Sequence, residues 1–442
     1  MSANPGELAS SPEQPTFVRP AFPDGLILQP FRGLRYDPSI DLSSVTSPPY
    51  DVIDAAGVVA LEEQSDLNVV RLILPRDRVG EGDRYAAAAQ TLAAWRSGGT
   101  LRPDPSPSLY VYEQSSATHT QRGLLGAVAL TPPEDGIVLP HENTMSGTVS
   151  DRLALYTAVG ADLEPIFLLY AGGGAASDAV AGAAGRQPLV DTTLPDGLRH
   201  RLWAITDPVE LAAIAADLHP RTAVIADGHH RYATYLQRQA AAWGAGQGPG
   251  PWDVGLTFLV DSTAFGPEVH PIHRVIPDLE PYELARRADG AMTVHELDGD
   301  DLSDALAALE QAGAAGPAFL LVSGDGGTIR LLTDPSADRL EAALPAERSP
   351  AWRALDVSVL HHFLVADVWN LVDDVDTVRY EHDVDAAIHA AAASGGTAVL
   401  LNPTPVDAVT TVAAGGERMP RKSTLFTPKP RTGLVLRDHR DA

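Results

Sequence analysis

A mixed α/β fold of the α+β kind is predicted by three observations. Strand-like and helix-like stretches follow one another without strict alternation, which argues against a doubly wound sheet. The 442 residues are 44% hydrophobic, enough for a sizeable core spread over roughly two or three domains. No apolar run approaches the roughly 20 residues of a membrane helix, so every apolar segment is available to that core.

The chain starts with a Pro/Ser/Glu-rich stretch, residues 1–25, read as a disordered tail. Leu26 to Phe31 reads as a strand. Ser47-Pro48-Pro49-Tyr50-Asp51 follows as a rigid turn, because paired prolines fix an extended backbone. Asn68 to Leu74 reads as a strand, Asp83 to Arg96 as an Ala-rich helix, and Leu109 to Glu113 with Gly123 to Leu130 as a hairpin. Ser150-Asp151-Arg152 is taken to cap a helix ending at Gly160, and Pro165 to Tyr170 is a buried strand. The Gly/Ala-rich stretch 171–186 reads as a loose surface insertion.

Strand and helix then alternate through residues 201–218 and again around residue 227. Gly255 to Val260 is a further strand. Residues 301–313 and 338–344 read as helices flanking a hairpin at 318–332, and Leu355 to Trp369 as a helix carrying His361-His362. Strand 397–401, helix 406–414 and a closing strand 433–436 complete the pattern. The implied organisation is a main α/β unit over 26–280, an insertion or second subdomain over 281–345, and a segment 346–442 returning to the main unit.

The most informative stretch is Asp227-Gly228-His229-His230-Arg231-Tyr232. Thr222 to Ala226 ahead of it is a buried strand, and Tyr232, Tyr235, Leu236, Gln239 and Trp243 behind it recur at helical spacing. A glycine between strand and helix permits a tight turn, and the helix's first N–H groups form a ready anion site. Capping accounts for Asp227, but not for two imidazoles and a guanidinium crowded after it.

Three other polar clusters accompany it. His141-Glu142 with Asp151-Arg152 offers a general base or an oxygen-and-nitrogen set for a divalent ion. His273-Arg274 adds an imidazole and a guanidinium. Met419-Pro420-Arg421-Lys422-Ser423-Thr424 has phosphate-cradle ingredients without P-loop spacing. His361-His362 reads as structural, because neighbours on a helix face about 100° apart.

Composition excludes some partners. A net charge of −26 without a basic block speaks against a nucleic-acid backbone. Zero cysteines exclude disulfides, thiolate metal sites and cysteine nucleophiles. No targeting signal is recognised, so a cytoplasmic location without membrane insertion is the expectation. Of 32 basic residues only Lys422 and Lys429 are lysines, which marks them for attention.

Phe31-Arg32-Gly33, the Ser47 to Ile53 turn, His141-Glu142, Asp151-Arg152, Asp227 to Tyr232, His273-Arg274 and Met419 to Thr424 together resemble the bacterial domain-of-unknown-function 1015 family, over about 26–436. Asn143 departs from the Arg expected after His-Glu. The Asp-Gly-His-His-Arg turn is also similar, over some 20 residues, to the ParB/sulfiredoxin superfamily, which includes ParB-like free serine kinases. That resemblance implies a nucleotide-handling core with additional α/β elements, binding ATP or ADP with Mg2+.

It further implies Asp227 as a magnesium or hydroxyl contact, and His229, His230 and Arg231 as phosphate ligands. On chemistry, Glu142 and His141 join Asp227, His229 and His230 as catalytic candidates, with Asp227 and Glu142 as metal candidates. Arg231, Arg152, His273, Arg274, Lys422, Ser423 and Arg32 are phosphate or nucleotide candidates, and Tyr50 and Asp51 are substrate candidates.

Three functions stay open. They are phosphotransfer from a nucleotide to a small hydroxyl compound such as serine, a ParB-like nucleotide-binding regulator, and a metal-assisted phosphate hydrolase. For the first, His230→Ala and Arg231→Ala are each expected to remove activity and leave the thermal transition intact. Oligomeric state is not legible.

Overall fold

The buried apolar runs assemble into two large sheets joined through one hydrophobic cluster, with three two-stranded pairs beside them among the described residues. The computed structural model describes residues 23–77, 83–297, 302–374 and 376–441. The mixed α/β architecture expected from the sequence is present. The larger, 9-stranded sheet runs Val138–Pro140, Ala223–Asp227, Ile166–Tyr170, Val254–Asp261, Thr120–Ala129, Leu109–Ser115, Arg199–Ile205 and Val190–Thr193, with Leu28–Gln29 also pairing to Thr120–Ala129. Ala223–Asp227 lies parallel to Val138–Pro140 and antiparallel to Ile166–Tyr170. Its Val224, Ile225 and Ala226 are buried, as the short continuous apolar run requires.

One face of this sheet is covered by helices Arg84–Ser97, Ser146–Val159 and His229–Gly244, whose Trp95, Leu155, Tyr156 and Tyr235 share a cluster with Leu168 and Leu259. The other face presents Tyr112, Phe167 and Phe258 to a cluster that continues into Phe319, Trp352, Phe363 and Trp369. The second, 6-stranded sheet is antiparallel throughout, in the order Thr293–Leu297, Ile329–Thr333, Phe319–Ser323, Thr397–Leu401, His273–Ile276, Arg379–Glu381. Its strands therefore come from both sides of residue 345. Among the described residues no helix is long and apolar enough to cross a membrane.

Several elements differ from the sequence expectation. Asn68 to Leu74 holds a short helix, Val70–Ile73, because the Asn68 side chain accepts the Val70 N–H at 3.0 Å and donates to the Ser44 carbonyl at 2.9 Å. A local side-chain-to-backbone hydrogen bond thus competes with β-branched propensity there. The Gly/Ala-rich stretch contains a helix, Gly174–Ala183, whose small Ala176, Ala179 and Ala183 are buried, and Ser177 donates to Asp261 at 2.6 Å. Ser150, Asp151 and Arg152 lie inside helix Ser146–Val159 rather than at its start, while Gly160 ends it at φ 65° as expected. Val359–Val368 is π-helical, with the Trp369 N–H donating to the Leu364 carbonyl at 2.7 Å. Gly433 to Leu436 makes only a bridge, Leu34 to Leu436, and the strand follows at Arg437–Asp438. Residues 1–22 of the expected tail, and Asp301, lie outside the described residues.

One buried carboxylate anchors the end of the C-terminal segment. Fully buried Asp162 receives Arg437 Nη1 at 2.7 Å, Arg238 Nη1 at 2.9 Å, His439 at 2.9 Å and the Leu256 N–H at 3.1 Å. Burial opposes ionisation, but these cations outweigh it and hold the carboxyl far below its ordinary range. A depressed folded pKa contributes stability above the unfolded value of about 4, and that contribution is lost as pH falls below it. Asp162→Ala strands buried Arg437 and is expected to cost about 3–5 kcal/mol in urea unfolding at pH 7, with a smaller difference from wild type at pH 3.

Candidate functional site

Strand Ala223–Asp227 ends where Gly228, at φ 95°, turns the chain into helix His229–Gly244. A Cβ at Gly228 would meet the Arg231 guanidinium at 3.0 Å, so conformation and space both require glycine. No side chain caps this helix. Asp227 instead faces two cations, with Oδ1 2.6 Å from Lys429 Nζ and Oδ2 paired to Arg231 Nη2. Lys429 Nζ also lies 2.5 Å from Asp51 Oδ2. Burial alone would raise the Asp227 pKa, but Lys429 and Arg231 outweigh it and hold the carboxyl at about 2. Burial likewise opposes the Lys429 ammonium, and Asp227 and Asp51 outweigh it to raise its pKa.

Beneath this ion cluster the Arg231 side chain is 1% exposed and donates Nη1 to the Pro165 carbonyl at 2.5 Å. Glu164 is fully buried. Its Oε1 accepts the Tyr50 N–H at 2.9 Å and the Thr432 hydroxyl at 3.2 Å, which ties the Pro-Pro-Tyr-Asp turn to the C-terminal segment. Burial raises the Glu164 carboxyl, with Arg231 and Arg152 opposing. The Tyr50 ring lies 4.6 Å from the Arg152 guanidinium and 5.9 Å from that of Arg231, and burial pushes its phenol up to about 12. Arg152 donates to Asp151 and, at 2.5 Å, to the Ile73 carbonyl.

The histidines divide into two groups. His229 and His141 are buried, and their rings meet edge to face at 4.6 Å. His229 Nε2 accepts the His141 N–H at 3.3 Å, and His141 Nε2 lies 3.1 Å from the Thr424 hydroxyl. Burial lowers both pKa values, that of His141 to about 4, so both are neutral near pH 7. They brace the 141–145 loop from below. His230 is half-buried, and its Nε2 accepts the Met145 N–H at 3.0 Å. Burial lowers its pKa too, and because Nε2 accepts, the neutral ring's proton is on Nδ1, which is its donor. Glu142 Oε1 accepts the Lys422 N–H at 3.2 Å; burial raises its carboxyl, with Lys422 and Lys429 opposing.

The remaining sequence candidates serve other partners. Buried Ser423 donates to the Pro420 carbonyl at 2.5 Å, and Arg274 donates to the Lys422 carbonyl at 3.0 Å, so both shape the 419–424 turn. His273 Nδ1 accepts the Leu401 N–H at 3.3 Å within the small sheet. Arg32 donates to the Asp104 carbonyl at 3.0 Å.

The contacts thus draw together Asp51, Glu142, Asp227, His230, Arg231 and Lys422, with Tyr50 and Arg152 beneath. Lys429 and Glu164 were missed as candidates. Lysine scarcity pointed to Lys429, whereas nothing local marks Glu164. Asp227 does not fit as a magnesium ligand, because both its oxygens are engaged by cations. Among the described residues no group of three or more His, Asp or Glu could hold a metal ion. A cavity of about 380 Å³ opens beside the Tyr50-Asp51 turn, lined by Pro48, Val52, Leu61, Asp196 and Arg431. Another, of about 480 Å³, lies by the small sheet among Tyr282, Asp325 and Arg330.

No curated protein matches the chain. Among solved structures it is similar to a mutant free serine kinase in complex with ADP, with TM-score 0.35, 14% identity, 69% of this chain and 90% of that one. It is also similar to SbnI with a C-terminal truncation from Staphylococcus aureus, with TM-score 0.34, 9% identity, and 71% and 87% of the two chains. A conserved hypothetical protein from Pyrococcus furiosus gives TM-score 0.32, 15% identity, and 69% and 94%. The model of the family described as "Protein of unknown function (DUF1015)" matches residues 28–358, and the chain belongs to that family.

Proposed function

We propose that the turn Asp227 to Arg231 binds the phosphates of an adenine nucleotide, ATP or ADP, and that the chain transfers a phosphoryl group from it to a small hydroxyl compound such as serine. The observation that carries this reading is the position of Lys429. An ammonium has three donors. Asp51 and Asp227 take two of them, at 2.5 and 2.6 Å, beside a helix start that no side chain caps. A phosphate oxygen there would meet the third donor, the first-turn N–H groups and His230 Nδ1–H, with exposed Lys422 nearby. The resemblance of Asp-Gly-His-His-Arg to the nucleotide-handling turn of ParB-like proteins supports the same assignment.

A proton acceptor is also needed. A carboxylate held at about 2 is a weak base, so Asp227 orients cations rather than taking protons. Glu142 is better matched, because burial raises its pKa and its second oxygen is not used by Lys422. In the step proposed, the acceptor hydroxyl oxygen forms the new P–O bond as its proton passes to Glu142. The bond from phosphorus to the nucleotide's bridging oxygen breaks, and the shorter nucleotide leaves with that electron pair. Lys429 and His230 balance the charge on the transferred group.

The test is an assay of phosphoryl transfer from ATP or ADP to serine, with nucleotide affinity measured separately. Glu142→Gln is expected to lower kcat about 10²–10⁴-fold while leaving nucleotide affinity unchanged; retained turnover discards Glu142 as the base. Protonating Glu142 removes the base, so the wild-type rate is expected to fall as pH drops through its raised pKa, and a flat acid limb contradicts the assignment. His230→Ala is expected to weaken nucleotide binding without a change in thermal transition. Arg231→Ala differs, because it removes a fully buried guanidinium that pairs with Asp227, donates to the Pro165 carbonyl and offsets the buried Glu164 carboxylate. It is expected to destabilise by about 3–5 kcal/mol in thermal or urea unfolding, in place of the intact transition expected from sequence.

A further inference from the structure

Arg274 is fully buried, yet among the described residues no carboxylate lies within ion-pair distance of it. A buried guanidinium in that position is costly unless its donors are well satisfied. Here Nε and Nη2 converge on a single atom, His361 Nε2, at 3.1 and 3.0 Å. The other nitrogen of that ring, Nδ1, lies 2.9 Å from Asp373 Oδ2. A guanidinium has no acceptor to offer, so Nε2 must present its lone pair, and the ring proton sits on Nδ1 and is donated to Asp373. The carboxylate that balances Arg274 therefore acts at one remove, through an imidazole.

On its other side Arg274 packs 4.6 Å from the Tyr380 ring centre and donates Nη2 to the Lys422 carbonyl at 3.0 Å. Lys422 is held at φ 56°, and its own N–H reaches Glu142 at 3.2 Å. His361 lies in the π-helical stretch Val359–Val368. Such stretches are uncommon and recur at functional sites. The contacts make one line from Asp373 through His361, Arg274 and Lys422 to Glu142.

We propose that His361 is a positioning residue, a neutral imidazole anchored by Asp373 that fixes Arg274 and thereby holds the Arg421–Ser423 turn against Glu142. A proton on Nε2 would face the guanidinium with like charge and no lone pair, so this line holds only with the neutral ring. The effect on turnover rests on the reading of Glu142 as base, whereas the effect on the turn does not.

The test uses the full-length protein. Nitrogen-15 NMR of the His361 ring is expected to show the neutral Nδ1–H tautomer at pH 7, and an imidazolium or an Nε2–H tautomer overturns the proposal. His361→Leu removes the acceptor, while His361→Gln keeps an acceptor oxygen. Amide exchange at residues 419–424 is expected to rise about tenfold in the Leu variant, the equivalent of one charge-assisted hydrogen bond, and less in the Gln variant. Helix His229–Gly244 should keep its protection in both. Unchanged exchange at 419–424 in the Leu variant overturns the proposal. If that variant does not fold, Asp373→Leu, which removes the ring's anchor on the partly exposed side, replaces it with the same expectation and the same contrary result. These readouts need no turnover, so a chain that transfers no phosphate would discard the functional reading and leave this one standing.

Discussion

The site depends on a single ammonium shared between two carboxylates. Lys429 draws Asp51 from the Pro-Pro-Tyr-Asp turn and Asp227 from the end of a sheet strand onto one point, although 378 residues separate the outer pair. Its one charge faces both carboxylates, and Arg231 adds a second cation on the Asp227 side. The loop-closure cost of so distant a contact is not carried by Lys429 alone. Thr432 on Glu164, Arg431 on the Thr46 hydroxyl at 3.1 Å, and Arg437 on Asp162 pin the same segment at further points.

Burial explains why the cations below the turn are arginines. Arg231, Arg152, Arg274 and Arg437 are each buried and each make more than one contact, often to backbone carbonyls, as the planar fork permits. Lysine is kept for two places. Lys429 bridges carboxylates with a donor to spare, and Lys422 reaches the surface. The net charge of −26 therefore coexists with a local set of cations aimed at one turn.

Much of this was legible from local pattern. The strand–glycine–helix reading of residues 222–244 rested on apolar spacing and a residue free to take φ 95°, and the structure has both. The helices expected from Asp83 and within 201–218 also form, and the structure shows Asp83 and Asp207 accepting their first-turn N–H groups. Long-range partners were not legible. Arg32 and His273 carry the right groups for phosphate, but Asp104 and Leu401, far away in sequence, claim them. His229 sits next to His230, yet a helical turn sends one ring into the core against His141 and the other toward the Met145 loop. Glu164 is invisible for the same reason, since its importance lies wholly in what folds around it. His361 read as structural from spacing alone, and only its contacts with Arg274 and Asp373 give it a part.

The most direct test of the account is a crystal structure with ADP bound. The phosphates are expected at the start of helix His229–Gly244, within hydrogen-bond distance of Lys429 Nζ and His230 Nδ1, with Glu142 facing the terminal phosphate. ADP seated elsewhere, such as the cavity among Tyr282, Asp325 and Arg330, with the Asp51–Lys429–Asp227 contacts undisturbed, would contradict it.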